Sequence, residues 1–305
     1  MSTVLASLAV TLVYLSSIFL SGRILGTVFA LTIIPWNKQP SEPFEIVREI
    51  VFAILVLLIT WGFTRLEQNA KVELGFNSSR PLFEIATGFL VGAFNVAVVI
   101  SFLYWAGNYR ASGFNQNAQI WAPLVCYFFG ALIEELVFRG YIFQRLEHLL
   151  GTSRALLGAS LIFGLCHMIN PVPGASAGEK LYGCLCLFLE AGILLNAAYL
   201  LYRNLWFAIG LHWAWNFCEG TIFGAPVSGT TMGVPLLQAK LAGPFVATGG
   251  TFGPEASLAG VLTGLTLGLT TLAVAYSRGN WRPAPSLSSG SAPTGSVSKR
   301  ERRTR

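Results

Sequence analysis

Glu134-Glu135-Leu136-Val137-Phe138-Arg139 sits inside an apolar run that extends from Ile120 to Leu150. Two adjacent carboxylates and a guanidinium at the centre of a membrane span cost at least ~2.5–3.5 kcal/mol each if they face lipid. Such a group belongs at a cavity or against its own kind, and it marks a site. Helical spacing separates the members. Glu135 and Arg139 are four apart, share a face and can pair, with the guanidinium fork suited to a carboxylate. Glu134 is turned about 100° from Glu135 and is free to point into a pocket. A half-buried carboxylate there suits a general base.

The rest of the chain agrees that lipid is the solvent. Of 305 residues, 53% are apolar and 11% charged, where a soluble domain carries about a quarter charged residues. Mean hydropathy is +0.60. About eight runs approach the ~20 residues that cross a bilayer core: Val4–Ile34, Ile46–Phe63, Leu82–Ala106, Ile120–Leu150, Ala155–Ile169, Leu181–Tyr202, Leu205–Phe223 and Leu258–Ala275. The first contains Arg23, lacks a basic leader and is too long for a signal peptide; it is one helix or two shorter pieces. The expected fold class is all-α, a polytopic transmembrane helical bundle with a polar cavity inside the membrane. The expected divisions are N-terminal transmembrane helices over 1–117, a catalytic transmembrane core over 118–277 and a basic, disordered tail over 278–305. The Gly-rich stretch Gly224–Glu255 is expected to form an ordered or partly re-entrant loop. With eight spans both termini share a side. Arg65, Lys71, Arg80, Arg145, Arg154, Arg203 and the basic tail outweigh Lys38, Arg48, Arg110, Lys180 and Lys240, which puts both termini in the cytoplasm.

Several chemistries are excluded by what is missing. All fourteen acidic residues are glutamates. An aspartyl protease pair and a Ser-His-Asp triad are therefore absent, as is the HExxH zinc signature. Gly174-Ala175-Ser176-Ala177-Gly178 fits GxSxG, but a nucleophile elbow needs a strand, a turn and a His–acid pair, and this stretch lies in a short loop between spans. Cys166 adjoins His167 but points away from it, and a buried thiol in apolar surroundings is inert. The five cysteines show no ligand or disulfide spacing. The basic tail fits anionic headgroups and topology better than nucleic acid. No nucleic-acid partner is expected; the expected partners are membrane lipids and a membrane-associated peptide or protein substrate.

Two more spans present polar groups. Phe163 and His167 share a face of the fifth span, and His212 and Asn216 share a face of the seventh. Glu190, Asn196 and Glu219 are further embedded polar residues. The ordered trio EExxxR, FxxxH and HxxxN resembles the CAAX-processing and bacteriocin-processing (Abi) family of intramembrane endopeptidases, the CAAX prenyl protease type II among them, over about residues 118–220. The resemblance implies that Glu134 and His167 polarise a water for attack on a peptide carbonyl. It implies that His212 and Asn216 donate to the oxyanion, and that Glu135 and Arg139, with Phe163 beside them, support the base. The cofactor stays open. Glu134, His167 and His212 are a set that zinc can take, yet they stand on three helices, so a glutamate-base site without metal is the favoured reading and zinc the alternative. A non-catalytic scaffold or bacteriocin-immunity protein of the same fold is the alternative, and a proton-coupled carrier a more distant one. The depths of the two histidines conflict: His212 stands early in an outward-running span, His167 late in another.

Overall fold

A computed structural model describes residues 2–32, 42–66 and 72–284. Lys38, Lys71 and the end of the basic tail, residues 285–305, lie outside the described residues. Among the described residues the fold is all-α apart from one pair of short strands. In chain order it comprises α1 (Ser2–Thr32), α2 (Glu42–Leu66), α3 (Pro81–Trp105), β1 (Tyr109–Phe114), α4 (Trp121–Val137), α5 (Gln144–Leu150), α6 (Thr152–Cys166), α7 (Ala177–Leu187), α8 (Ile193–Tyr202), α9 (Trp206–Phe217), β2 (Leu237–Leu241), α10 (Phe245–Thr248) and α11 (Leu258–Ser277). The first span is one helix. Among the described residues, seven helical rods are long and apolar enough to cross a membrane, and the chain is an integral membrane protein. One more rod, α9 with its continuation, has 12 residues plus 5 and is largely buried among the others.

In a bilayer core every backbone polar group needs an internal partner, which makes helix the default. The ends are cut by local chemistry. Pro81 opens α3, where its missing N–H costs nothing. Ser176, the serine of the GxSxG stretch, caps α7: its hydroxyl accepts from the Glu179 N–H while Glu179 reaches back to the Ser176 N–H. Ser257 caps α11 through the Gly260 N–H.

Three rods contain a π-helical turn: Phe138–Phe143 between α4 and α5, Phe188–Gly192 between α7 and α8, and Cys218–Ile222 after α9. Each inserts extra backbone into a helix and re-aims the residues beyond it, a device common at functional sites. Arg139, Glu190 and Glu219 stand in these three turns.

Close packing fixes α9. A β-carbon on Gly88 would collide with the Phe207 carbonyl, one on Gly92 with the Leu211 carbonyl, and one on Gly210 with the Ile85 carbonyl. The two backbones therefore touch, as small residues allow in lipid. Just before α9 the Leu205 N–H donates to the Gly75 carbonyl at 2.8 Å, and Leu205 abuts Gly140. The α9 rod thus begins level with the π turn after α4, not with the end of α5. His212, early in its rod, and His167, late in another, thus both come within 3.9 Å of Glu134.

One end of the bundle is tied by polar contacts. Gln144 exchanges hydrogen bonds with the Glu73 backbone at 2.7 and 3.1 Å. The buried Glu147 carboxylate receives Arg203 at 2.6 Å and Thr152 at 2.5 Å. Residues 278–284, assigned to the tail from sequence, pack back here: the Arg282 N–H donates to the Thr152 hydroxyl at 2.8 Å. At the other end β1 and β2 pair antiparallel with a bulge between Ala111 and Gly113. The loop 224–257 folds over the rods beside them, ordered as expected.

Candidate active site

The α4, α6 and α9 rods converge on one point. Glu134 Oε2 lies 3.9 Å from His167 Nε2 and 3.9 Å from His212 Nε2. That oxygen is buried and has no hydrogen-bond partner. The three side chains and Asn216 line a cavity of about 180 Å³, which has room for several waters.

The tautomers follow from the partners of the other ring nitrogens. His167 Nδ1 is 2.8 Å from the Phe163 carbonyl, an acceptor, so Nδ1 carries the proton and Nε2 presents a lone pair to the cavity. His212 Nδ1 is 2.8 Å from Glu135 Oε1 and donates to it. The same oxygen receives Arg139 Nη1 at 2.9 Å. Arg139 is fully buried, donates through Nε to Asn196 Oδ1 at 3.1 Å, and stands 4.6 Å over the Phe163 ring. Phe163 meets Phe138 edge-on at 5.0 Å and lies 4.8 Å from the His167 ring. The adjacent glutamates thus divide as helical rotation predicts. Glu134 faces the cavity, and Glu135 faces a buried network that orients His212. Asn216 lies one turn beyond His212 on the cavity wall.

Two imidazole nitrogens and a carboxylate oxygen are suitable zinc ligands, but bonds of about 2.0–2.1 Å in a tetrahedron leave ligand atoms roughly 3.4 Å apart. Both separations here are 3.9 Å. Among the described residues no group of three or more His, Cys or acidic side chains is placed to hold a metal ion.

With this geometry in hand, comparison with known families bears on the core. Residues 116–218 match the model of an Rce1-like domain. The family is that of the Rce1-like type II CAAX prenyl endopeptidases, a protease family. The matched segment covers about a third of the chain and runs from just before α4 to the first residue after α9. No curated protein and no solved structure matches the chain. The Rce1-like domain contains Glu134, Glu135, Arg139, Phe163, His167, His212 and Asn216.

Other cavity residues were not foreseen. Glu255 and Ser228, from the loop 224–257, also line the cavity, with the Ser228 hydroxyl donating to Glu255 Oε1 at 2.6 Å. Burial raises the Glu255 carboxyl to about 7, against the lowering effect of Ser228. The one available signal was a lone glutamate in a Gly-rich stretch with little other charge. A second, mostly apolar chamber of about 390 Å³ adjoins the site and shares Glu134, His167 and Asn170 with it. Leu15, Ile18 and Phe19 of α1 and Phe52 of α2 form its far side, and Arg23 stands at its rim.

Proposed function

We propose that the protein is an intramembrane endopeptidase that hydrolyses a peptide bond in a membrane-associated substrate through a water activated by Glu134 and His167. The observation that carries this reading is the unpartnered Glu134 Oε2, 3.9 Å from the Nε2 atoms of two histidines at a shared cavity. A water drawn from the cavity to Glu134 gives its proton to that carboxylate, with the His167 Nε2 lone pair beside it, as its oxygen bonds to the carbonyl carbon. The carbonyl becomes an oxyanion, to which Asn216 and His212 donate. His212 Nδ1–H already donates to Glu135, so Nε2 can donate only when the ring is protonated. The proton then passes to the leaving nitrogen, the C–N bond breaks, and an acid and an amine are released. No covalent intermediate is needed.

The apolar chamber beside the site supports a lipid-modified substrate. An alkyl or prenyl chain seated between α1 and α4 would bring a neighbouring peptide bond to Glu134. Both termini are assigned to the cytoplasm, with α5 and the Glu147 cluster on that side. Cleavage of a prenylated C-terminal peptide and of a panel of leader peptides by the purified protein tests this reading, alongside Glu134→Ala, His167→Ala and elemental analysis. Loss of cleavage in both variants supports it. Equal rates in all three proteins would reject the mechanism, and variants that keep their full biological effect without cleavage would favour a scaffold or immunity role.

A further inference from the structure

The β1–β2 ribbon carries two cations that the fold does not neutralise. Its antiparallel register puts Arg110 directly opposite Lys240, so both side chains leave one face with β-carbons about 4.5–5.5 Å apart. Like charges in that relation repel and weaken the pairing. Both residues are exposed, and among the described residues neither is held by a carboxylate. The ribbon also lies at the level of the headgroups. It falls in the chain between Trp105, the last residue of α3, and Trp121, the first of α4, which are 78% and 77% exposed. Exposed tryptophans at the ends of membrane rods mark the border between acyl chains and headgroups. Two hollows adjoin at Tyr109, the first residue of β1. One, of about 430 Å³, is lined by Lys240, Thr231 and Thr251 and by no acidic residue. The other, of about 260 Å³, is mostly apolar and follows one face of α3 through Ala97, Ile100 and Ser101 to Trp105. A free anion would use only the first hollow, and a neutral apolar chain only the second. A molecule with a phosphate head and an acyl chain uses both.

We propose that the ribbon is a binding site for an anionic phospholipid, with the phosphate between Arg110 and Lys240 and one acyl chain along α3. The residues that line both hollows lie outside the segment 116–218, so the site belongs to this chain's own ribbon and loop and does not depend on the peptidase reading. It has a reach into the cavity nonetheless. β2 is part of the loop that brings Ser228 and Glu255 to the cavity wall. The ribbon is tied to the end of the α9 rod by the Tyr109 hydroxyl, which donates to the Phe223 carbonyl at 2.7 Å, and by the Leu236 N–H, which donates to the Thr221 carbonyl at 2.7 Å. A lipid that relieves the repulsion between the strands therefore braces the loop that forms this wall.

Native mass spectrometry of the full-length protein, released from zwitterionic micelles with equimolar phosphatidylglycerol and phosphatidylcholine of matched chains, tests this. Phosphatidylglycerol is expected to bind at least about tenfold tighter than phosphatidylcholine. Arg110→Gln combined with Lys240→Gln should bring the two lipids to within about twofold. That variant should melt no lower than wild type in phosphatidylcholine alone, because the repulsion is gone. Ser101→Phe, which fills the apolar hollow and keeps both cations, should weaken phosphatidylglycerol by at least about fivefold. Arg80→Gln combined with Arg154→Gln removes the same charge from the opposite end of the bundle, at the starts of α3 and α6, and should keep the preference. Equal binding of the two lipids to wild type overturns the proposal, as does a preference that survives loss of Arg110 and Lys240 or falls equally in the Arg80 and Arg154 variant. Displacement of phosphatidylglycerol by millimolar inorganic phosphate would also overturn it, since the site would then be one for a free anion.

Discussion

Arg139→Met is the sharpest perturbation of the network behind the site. The guanidinium is fully buried, holds Glu135 at 2.9 Å and Asn196 at 3.1 Å, and covers the Phe163 ring. Removing it leaves the buried Glu135 carboxylate with His212 as its remaining partner. Breaking a buried pair from one side costs about 3–5 kcal/mol, because an uncompensated charge stays behind. Replacing both partners with apolar residues removes that penalty. Glu135→Leu and Arg139→Met should each lose about 3–5 kcal/mol, and the double variant far less than their sum, a coupling of about 3 kcal/mol or more. Unfolding by SDS titration in mixed micelles measures all four corners of the cycle. Costs that add to within about 0.5 kcal/mol would refute the pairing. The double variant should still fail to cleave peptide, because His212 Nδ1 has lost its acceptor.

Asn216→Ala should lower kcat by about 10²–10³ with little change in KM, as for a lost oxyanion donor; steady-state kinetics on a cleaved peptide would contradict this if kcat held. The Glu255 carboxyl is raised from 4.5 to about 7, chiefly by burial. Its contribution to stability is therefore present below pH ~4.5 and lost as pH rises through ~7, on the order of 3 kcal/mol. Melting scans between pH 5 and 8 should show a decline that Glu255→Gln flattens, and an unchanged slope in the variant would refute the assignment. Gly92→Val should push α3 from α9 and abolish stable folding, whereas Gly62→Val, with open space around it, should be tolerated; recovery of both variants at equal yield would show that the α3–α9 contact is dispensable.

Much of the site was legible because its groups are expensive in lipid. The Glu135–Arg139 pair and the divergence of Glu134 follow from helical rotation alone. The His212–Glu135 contact was not legible. It spans 77 positions and depends on α9 starting level with Gly140, which is set by glycine contacts with α3. Asn196 was visible as an embedded polar group, but its partner depends on how α8 leaves the π turn at Phe188–Gly192. Glu255 was hidden by its setting: a glycine-rich loop has no periodicity, so nothing in the sequence says which way its side chains face. The β1–β2 pair was missed for a similar reason, since two short segments so far apart in the chain carry no local pairing signal.

The π turn at Phe138–Phe143 has a consequence for inheritance. Such a turn accommodates one residue more than an α-helix of the same rise, so deleting a single residue there would let the rod relax to regular helix. The helix beyond would then keep nearly the same heading, and Glu147 its reach to Arg203. The same deletion in regular helix would turn everything beyond it by about 100°. Descendants of this sequence can therefore lose a letter at this turn with less harm than in the regular helix on either side of it.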